Sequence, residues 1–203
     1  MKDFSQPADR KTIDETIKAL KTNGIEAEVV ENGELAKKRI LELIPERSEV
    51  MTMSSVTLDT IGISKEINES GKYDDVKHKL NKMDRKTQAL EMQRLGAAPV
   101  YALGSVHAVT QDGRLLIASN TGSQLGAYTY GSQHVIWVVG TQKIVKDLDE
   151  GMKRVYDYVL PLESKRLEKV YGVKSNVSKL LIFNREISPN RVRLIFINEK
   201  IGY

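Results

Sequence analysis

Residues 134–140, HVIWVVG, constrain the fold more than any other segment. The run carries no Asp, Glu, Lys or Arg, is dominated by β-branched and aromatic residues, and ends in glycine, which reads as a strand. A strand with one wet face alternates polar and apolar residues. This one does not alternate, so it is expected to be buried on both faces, as in a parallel sheet covered by helices.

Helix and strand signals alternate through the rest of the chain, which predicts an α/β layered domain. Asp9 to Asn23 reads as a helix with Ile13, Ile17 and Leu20 on one face, stopped at Gly24. Ile25 to Val30 reads as a strand, and Gly33 to Ile44 as a helix ended by Pro45. Glu49 to Ser54 is a short strand, with a helix start near Ser55 to Thr57. Residues 64–82 are polar and show no clear period. Asp84 to Leu95 predicts a helix with Ala89, Met92 and Leu95 facing inward, and Pro99 to Leu103 a strand. SVHAVT and RLLIAS flank Gln111-Asp112-Gly113, a hairpin signal. Ser123 to Tyr130 reads as a short helix. Asp147 to Val159 is amphipathic through Leu148, Met152, Val155 and Val159, and Pro161 is expected to end that helix. Leu180 to Phe183 and Val192 to Asn198 read as two last strands, paired through a Pro189-Asn190 turn. The length suits one domain over residues 1–203, with 1–48 as an N-terminal helical portion packed on it.

Composition excludes several chemistries. There is no cysteine, hence no disulfide scaffold, thiolate zinc site, cysteine-ligated cluster or Cys nucleophile. The start, MKDFSQPADRK, lacks the apolar stretch of a secretory signal. No run of about 18 apolar residues predicts a membrane span. The expected address is the cytoplasm. From Glu163 to Tyr203, nine Lys or Arg stand against four Glu, a surplus of +5 in a chain of net charge +4. Such a surface attracts anions, or it is merely a solvated face. No stacking motif or helix-turn-helix pattern accompanies it, so nucleic acid is not an expected partner.

Three segments carry candidate chemistry. In MTMSSVTLDTIGI a strand runs into a helix start, where backbone N–H groups and the hydroxyls of Ser54, Ser55 and Thr57 suit an anion. Ser55 alternatively serves only as a helix cap. Between Gly104 and Gly140 lie six glycines, mostly at strand ends, where α/β sheets place ligands. Gly104, Ser105, Asn120, Gly122, Ser123 and Gln124 would line such a site, or form ordinary turns. Lys143 follows the best strand, at its carboxyl end, positioned to neutralise a phosphate or carboxylate, or lies on the surface. No G-x-G-x-x-G or Walker sequence is present, and no cofactor is expected. Of His78, His107 and His134, only His107 stands near a candidate loop, and no metal spacing is seen. No nucleophile–base–acid set is legible; His107, Asp112 and Glu91 are the candidates for acid–base work.

Taken in order, SSVTLDTIGI (54–63), GSVHAVTQDGRLL (104–116), NTGSQLGAYTYGSQHVIWVVGTQKIVKDLDEGMKRV (120–155) and RVRLIFINEKIGY (191–203) resemble the LUD-domain (lactate-utilisation) family. The resemblance covers about half of the chain. It implies a NagB/RpiA/CoA-transferase-like fold, a mostly parallel sheet flanked by helices. It also implies a link to L-lactate oxidation alongside iron–sulfur protein partners. Relatives commonly carry a cysteine cluster before the final strands; here that region reads VKSNVSKLLIFNREISPN and has none. They also commonly have Asn in place of His107, and an Asn-Arg pair near Ser123-Gln124. Changed polar groups at a pocket change the ligand it accepts.

Three functions follow as expectations. The first is a small-molecule-binding accessory component of lactate or related organic-acid utilisation, its ligand a small anionic metabolite. The second is an enzyme acting on a sugar phosphate or acyl-CoA, by analogy of fold. The third is a protein-interaction subunit with a degenerate pocket. Sequence does not fix the oligomeric state.

Overall fold

The computed structural model describes residues 3–203. Along the chain run α1 (Arg10–Thr22), β1 (Glu26–Val30), α2 (Gly33–Leu43), β2 (Glu49–Thr52), α3 (Val56–Thr60), α4 (Ile63–Glu69), β3 (Asp74–Asp75), α5 (Val76–Asn81) and α6 (Ala89–Ala97). Then come β4 (Tyr101–Gly104), β5 (Ala108–Thr110), β6 (Leu115–Ser119), β7 (His134–Gly140), β8 (Ile144–Val145), α7 (Leu148–Lys153), α8 (Leu160–Tyr171), β9 (Lys179–Phe183) and β10 (Val192–Ile197).

Six strands form the main sheet in the order β1-β10-β7-β4-β2-β3, every pair parallel. A second sheet, β8-β5-β6-β9, is mixed. The α/β architecture with a mostly parallel sheet flanked by helices is thus the one the alternating signals predict. β7 lies between β10 and β4, and its side chains divide between two cores. Val135, Trp137 and Val139 face a core shared with α1 and the second sheet. Ile136 and Val138 face a core shared with α2, α3 and α4. That two-sided burial is why the strand reads as an unbroken apolar run. The far face of the second sheet packs Ala108, Leu116 and Val145 on Val155, under the helix that begins at α7.

Three expectations are corrected. The last two strands do not pair with each other: β10 enters the main sheet, while β9 runs antiparallel to β6. Pro161 does not end its helix. Between α7 and α8 the chain makes a π-helical stretch, Arg154–Val159, so the helix continues from Leu148 to Tyr171. Leu160 N–H bonds to Val155 O across the widened turn, and Pro161, next in line, has no N–H to place. The helix expected from Asp84 starts only at Ala89. Asp84 instead closes a turn, accepting from Lys86 N and Thr87 Oγ1, and no residue of α6 is buried. The short helix expected at Ser123 to Tyr130 is present over residues 125–131, π-helical from Ala127 to Gly131. The polar stretch 64–82 holds α4, β3 and α5. No helix among the described residues is long and apolar enough to cross a membrane.

Candidate functional site

β7 ends at Gly140 and the chain turns through a 3-10 helix, Thr141–Lys143, into β8. This crossing from one sheet to the other buries Lys143, which is 2% exposed. Its Nζ donates to Thr57 Oγ1 at 3.1 Å, Ser105 Oγ at 3.1 Å and Val106 O at 3.2 Å. Thr57 comes from α3 after β2, and Ser105 from the loop after β4, so three parallel strands deliver these groups from their carboxyl ends. Ser105 Oγ spends its own proton on Val138 O at 2.7 Å, and Thr57 Oγ1 points its proton toward Ile201 O, 3.5 Å away. All three partners of Nζ therefore act as acceptors, and only an ammonium has three protons to give. Burial first, and the nearby charge of Arg154 second, hold the Lys143 pKa well below the ordinary lysine value. The hydrogen bonds oppose that shift, and their geometry is that of the charged form.

Arg154 opens the π-helical stretch and is 0% exposed. Its Nη1 donates to His107 O, while Nε and Nη2 are enclosed with no partner among the described residues. Its guanidinium lies 5.3 Å from the Tyr158 ring centroid. Burial draws the Arg154 pKa down to about 10, the Tyr158 hydroxyl acting against it. Among the described residues no carboxylate makes a hydrogen bond or ion pair with Lys143 or Arg154.

His107 lies beside both cations and is part-buried. Burial, then Lys143, then Arg154 push its imidazole pKa down to about 3, with Glu163 acting the other way. The ring is neutral at physiological pH. Nδ1 accepts the Ala118 N–H at 3.1 Å, which places the ring proton on Nε2. Beyond it, part-buried Glu163 accepts from Arg166 Nε and Nη2 at 2.8 and 2.7 Å and from the Tyr203 hydroxyl at 2.5 Å. Burial raises the Glu163 pKa, but the bonds from Arg166 and Tyr203 outweigh it and hold it below the usual value.

Residues 201–203 lie over this group. Gln142 Nε2 donates to Ile201 O at 2.9 Å and Gly202 O at 3.3 Å. Gly202 has φ +62, and a Cβ there would overlap Thr57 Oγ1, so only glycine passes so close. A surface hollow of about 460 Å³ beside Phe4 and Lys153, and one of about 360 Å³ beside Val30 and Arg39, contain none of these groups. The cations sit in a closed interior.

Of the residues singled out from sequence, Thr57, Ser105 and Lys143 meet in direct hydrogen bonds, with His107 beside them. Gly104 backs the group: a Cβ there would overlap the Tyr128 hydroxyl. Ser55 caps α3, accepting from Leu58 N at 3.4 Å, and Ser54 is exposed. Asn120, Gly122, Ser123 and Gln124 form a separate turn after β6. There Asn120 accepts from Ser178, Ser123 bonds Thr121, and Gln124 bonds Ser119 and Ala118 O. Gln124 is the one closest in connection, since Ala118 also holds His107. Asp112 sits at the hairpin tip paired with Arg114, and Glu91 is exposed on α6 beside Arg94. Neither makes a hydrogen bond or ion pair with the Lys143 group.

Sequence reasoning missed Arg154, Glu163, Gln142 and Tyr203. An α-helical count of roughly 100° per residue turns Arg154 away from the Leu148–Met152–Val155–Val159 stripe. Arg154 is nonetheless inside, three residues after buried Gly151 and next to buried Val155, so the buried face is wider than that apolar stripe, and a count of apolar residues alone passes over an arginine on it.

The solved structure of a DUF162 family protein from Deinococcus radiodurans matches with a TM-score of 0.59 over 94% of this chain and 99% of that one. At 13% identity that likeness shows the fold alone. No curated protein matches the chain. The family model described as LUD domain matches residues 13–186, which takes in both sheets up to β9, Lys143, Arg154 and Glu163. The chain belongs to the LUD-domain family.

Proposed function

We propose that this LUD-domain protein binds a small anionic metabolite, as an accessory component of lactate or related organic-acid utilisation. Its receptor is the group around Lys143 and Arg154 at the carboxyl ends of β2, β4 and β7. One observation carries the reading: Lys143 and Arg154 are buried on adjacent carbonyls, Nε and Nη2 of Arg154 have no hydrogen-bond partner, and among the described residues no carboxylate bonds to either side chain. Buried charges in folded proteins are paired, because an isolated ion loses its hydration without return. A bound anion completes the set. The hydroxyls of Thr57 and Ser105 supply neutral polar groups at the same place.

The test is a thermal-shift screen at low ionic strength with L-lactate, pyruvate, coenzyme A and glucose 6-phosphate, followed by calorimetry. A ligand that binds only the folded state raises Tm with concentration. The expected result is a rise with at least one of these anions in the wild type and none with Lys143→Met. If no anion moves the wild-type Tm, the receptor reading fails.

A further inference from the structure

Arg154 uses one of its nitrogens and leaves two. Nη1 is fixed on His107 O; Nε and Nη2 have no hydrogen-bond partner among the described residues. In a guanidinium these two nitrogens share one side, and their N–H bonds run parallel. That fork matches both oxygens of a carboxylate. The molecule contains a filled example of it. Arg166 donates through the same two atoms to Glu163 Oε2 and Oε1 at 2.8 and 2.7 Å. Arg154 holds that edge unpaired and enclosed in the interior, where leaving donors unpaired costs free energy.

The bare edge is held in place. The Nη1 bond fixes one end of the guanidinium, and the Tyr158 ring lies against it at 5.3 Å. A group already oriented loses little freedom on binding. Lys143 has spent its three protons on Thr57, Ser105 and Val106, so it contributes charge at this point and no free donor. The site thus offers two coplanar donors and a positive field.

We propose, resting on the anion-receptor reading above, that the Nε–Nη2 edge of Arg154 seats the planar carboxylate of a small monocarboxylic acid. Two coplanar donors satisfy a carboxylate. A phosphoryl group would bury further oxygens with no donor to meet them. The acid enters from the side of His107. That ring feels the charges of Lys143, Arg154 and Glu163, and Glu163 and Tyr203 are part-exposed where the two cations are not.

The experiment observes arginine Nε–H resonances of the full chain labelled with ¹⁵N-arginine, titrated separately with sodium pyruvate, sodium acetate and inorganic phosphate. One Nε resonance, absent in Arg154→Lys, is expected to move downfield and saturate with pyruvate and acetate. By calorimetry Arg154→Lys should bind pyruvate about tenfold more weakly, since it keeps the charge and loses the fork. If Arg154→Lys does not fold, through-bond correlation along the wild-type Arg154 side chain assigns the resonance, and the titration decides alone. Pyruvate bound as tightly by Arg154→Lys as by wild type, with Lys143→Met abolishing binding, overturns the edge and leaves the receptor reading standing. A shift with phosphate and none with pyruvate overturns the carboxylate. No binding of any anion removes both.

Discussion

Lys143 and Arg154 hold neighbouring carbonyls of one loop, Nζ on Val106 O at 3.2 Å and Nη1 on His107 O. Two cations packed on adjacent peptide groups, with no carboxylate between them, work against stability in the unliganded protein. Each enclosed and unpaired donor of Arg154 costs about 1–3 kcal/mol. Arg154→Met fills similar space and carries no donor. It also strips one bond from His107 O, which offsets part of the gain. Urea denaturation without ligand should show Arg154→Met as stable as wild type or up to about 2 kcal/mol more stable. A loss of more than about 2 kcal/mol would mean that Arg154 is a structural strut, since losses that large come from broken buried networks.

The neutral state of His107 predicts a pH dependence. Its folded pKa of about 3 lies below the ordinary value of 6.5. Below pH 6.5 the unfolded chain takes up a proton that the folded chain refuses. The contribution is whole above pH 6.5 and is lost as pH falls toward 3, by at most roughly 5 kcal/mol. His107→Asn keeps an acceptor for the Ala118 N–H and cannot titrate. Denaturation measured between pH 7 and pH 4 should show a flatter slope in His107→Asn than in wild type. Equal slopes would show that His107 is protonated in the folded protein.

The sequence showed the sheet better than the site. β7 was legible because burial on both faces erases the alternation that a half-wet strand keeps. Lys143 was legible from position alone, one turn past a strand end. Arg154 was not, because a count of apolar residues finds the Leu148–Val159 stripe and passes over a charged residue that shares the buried face with Gly151 and Val155. The Glu163–Tyr203 bond joins residues 40 apart, and nothing local to either reports the other. Leu180 to Phe183 announced a strand, yet its partner depended on which sheet had an open edge.

Gly104 and Tyr128 share one space. A Cβ on Gly104 would overlap the Tyr128 hydroxyl and stand 2.8 Å from Cζ. Tyr128 cannot swing away, because its ring meets Trp137 edge-on at 5.3 Å within the core. Gly104→Ala should therefore destabilise by about 1–3 kcal/mol, as overpacked cores do. Tyr128→Phe removes the clashing oxygen. In a double-mutant cycle the pair should recover at least about 0.5 kcal/mol relative to the sum of the single changes. Strict additivity would place the strain elsewhere.

The Tyr203 hydroxyl fixes residues 201–203 across the Lys143 group through Glu163. Tyr203→Phe removes that bond and leaves the ring. Because the bond is only part-buried, the expected loss in stability is about 0.5–1.5 kcal/mol. The carboxylate itself gives a sharper readout. Arg166 and then Tyr203 hold the Glu163 pKa below its usual value against the upward push of burial. Tyr203→Phe should raise that pKa, and Arg166→Gln should raise it further, since Arg166 is the stronger of the two partners. Titration of the Glu163 side-chain carbon by ¹³C NMR follows both. With the bond gone, amide exchange at Ile201 and Gly202 should quicken while that in β7 stays unchanged, because the strap opens locally and the sheet does not. Unchanged exchange at 201 and 202 would show that Gln142 alone holds the segment down.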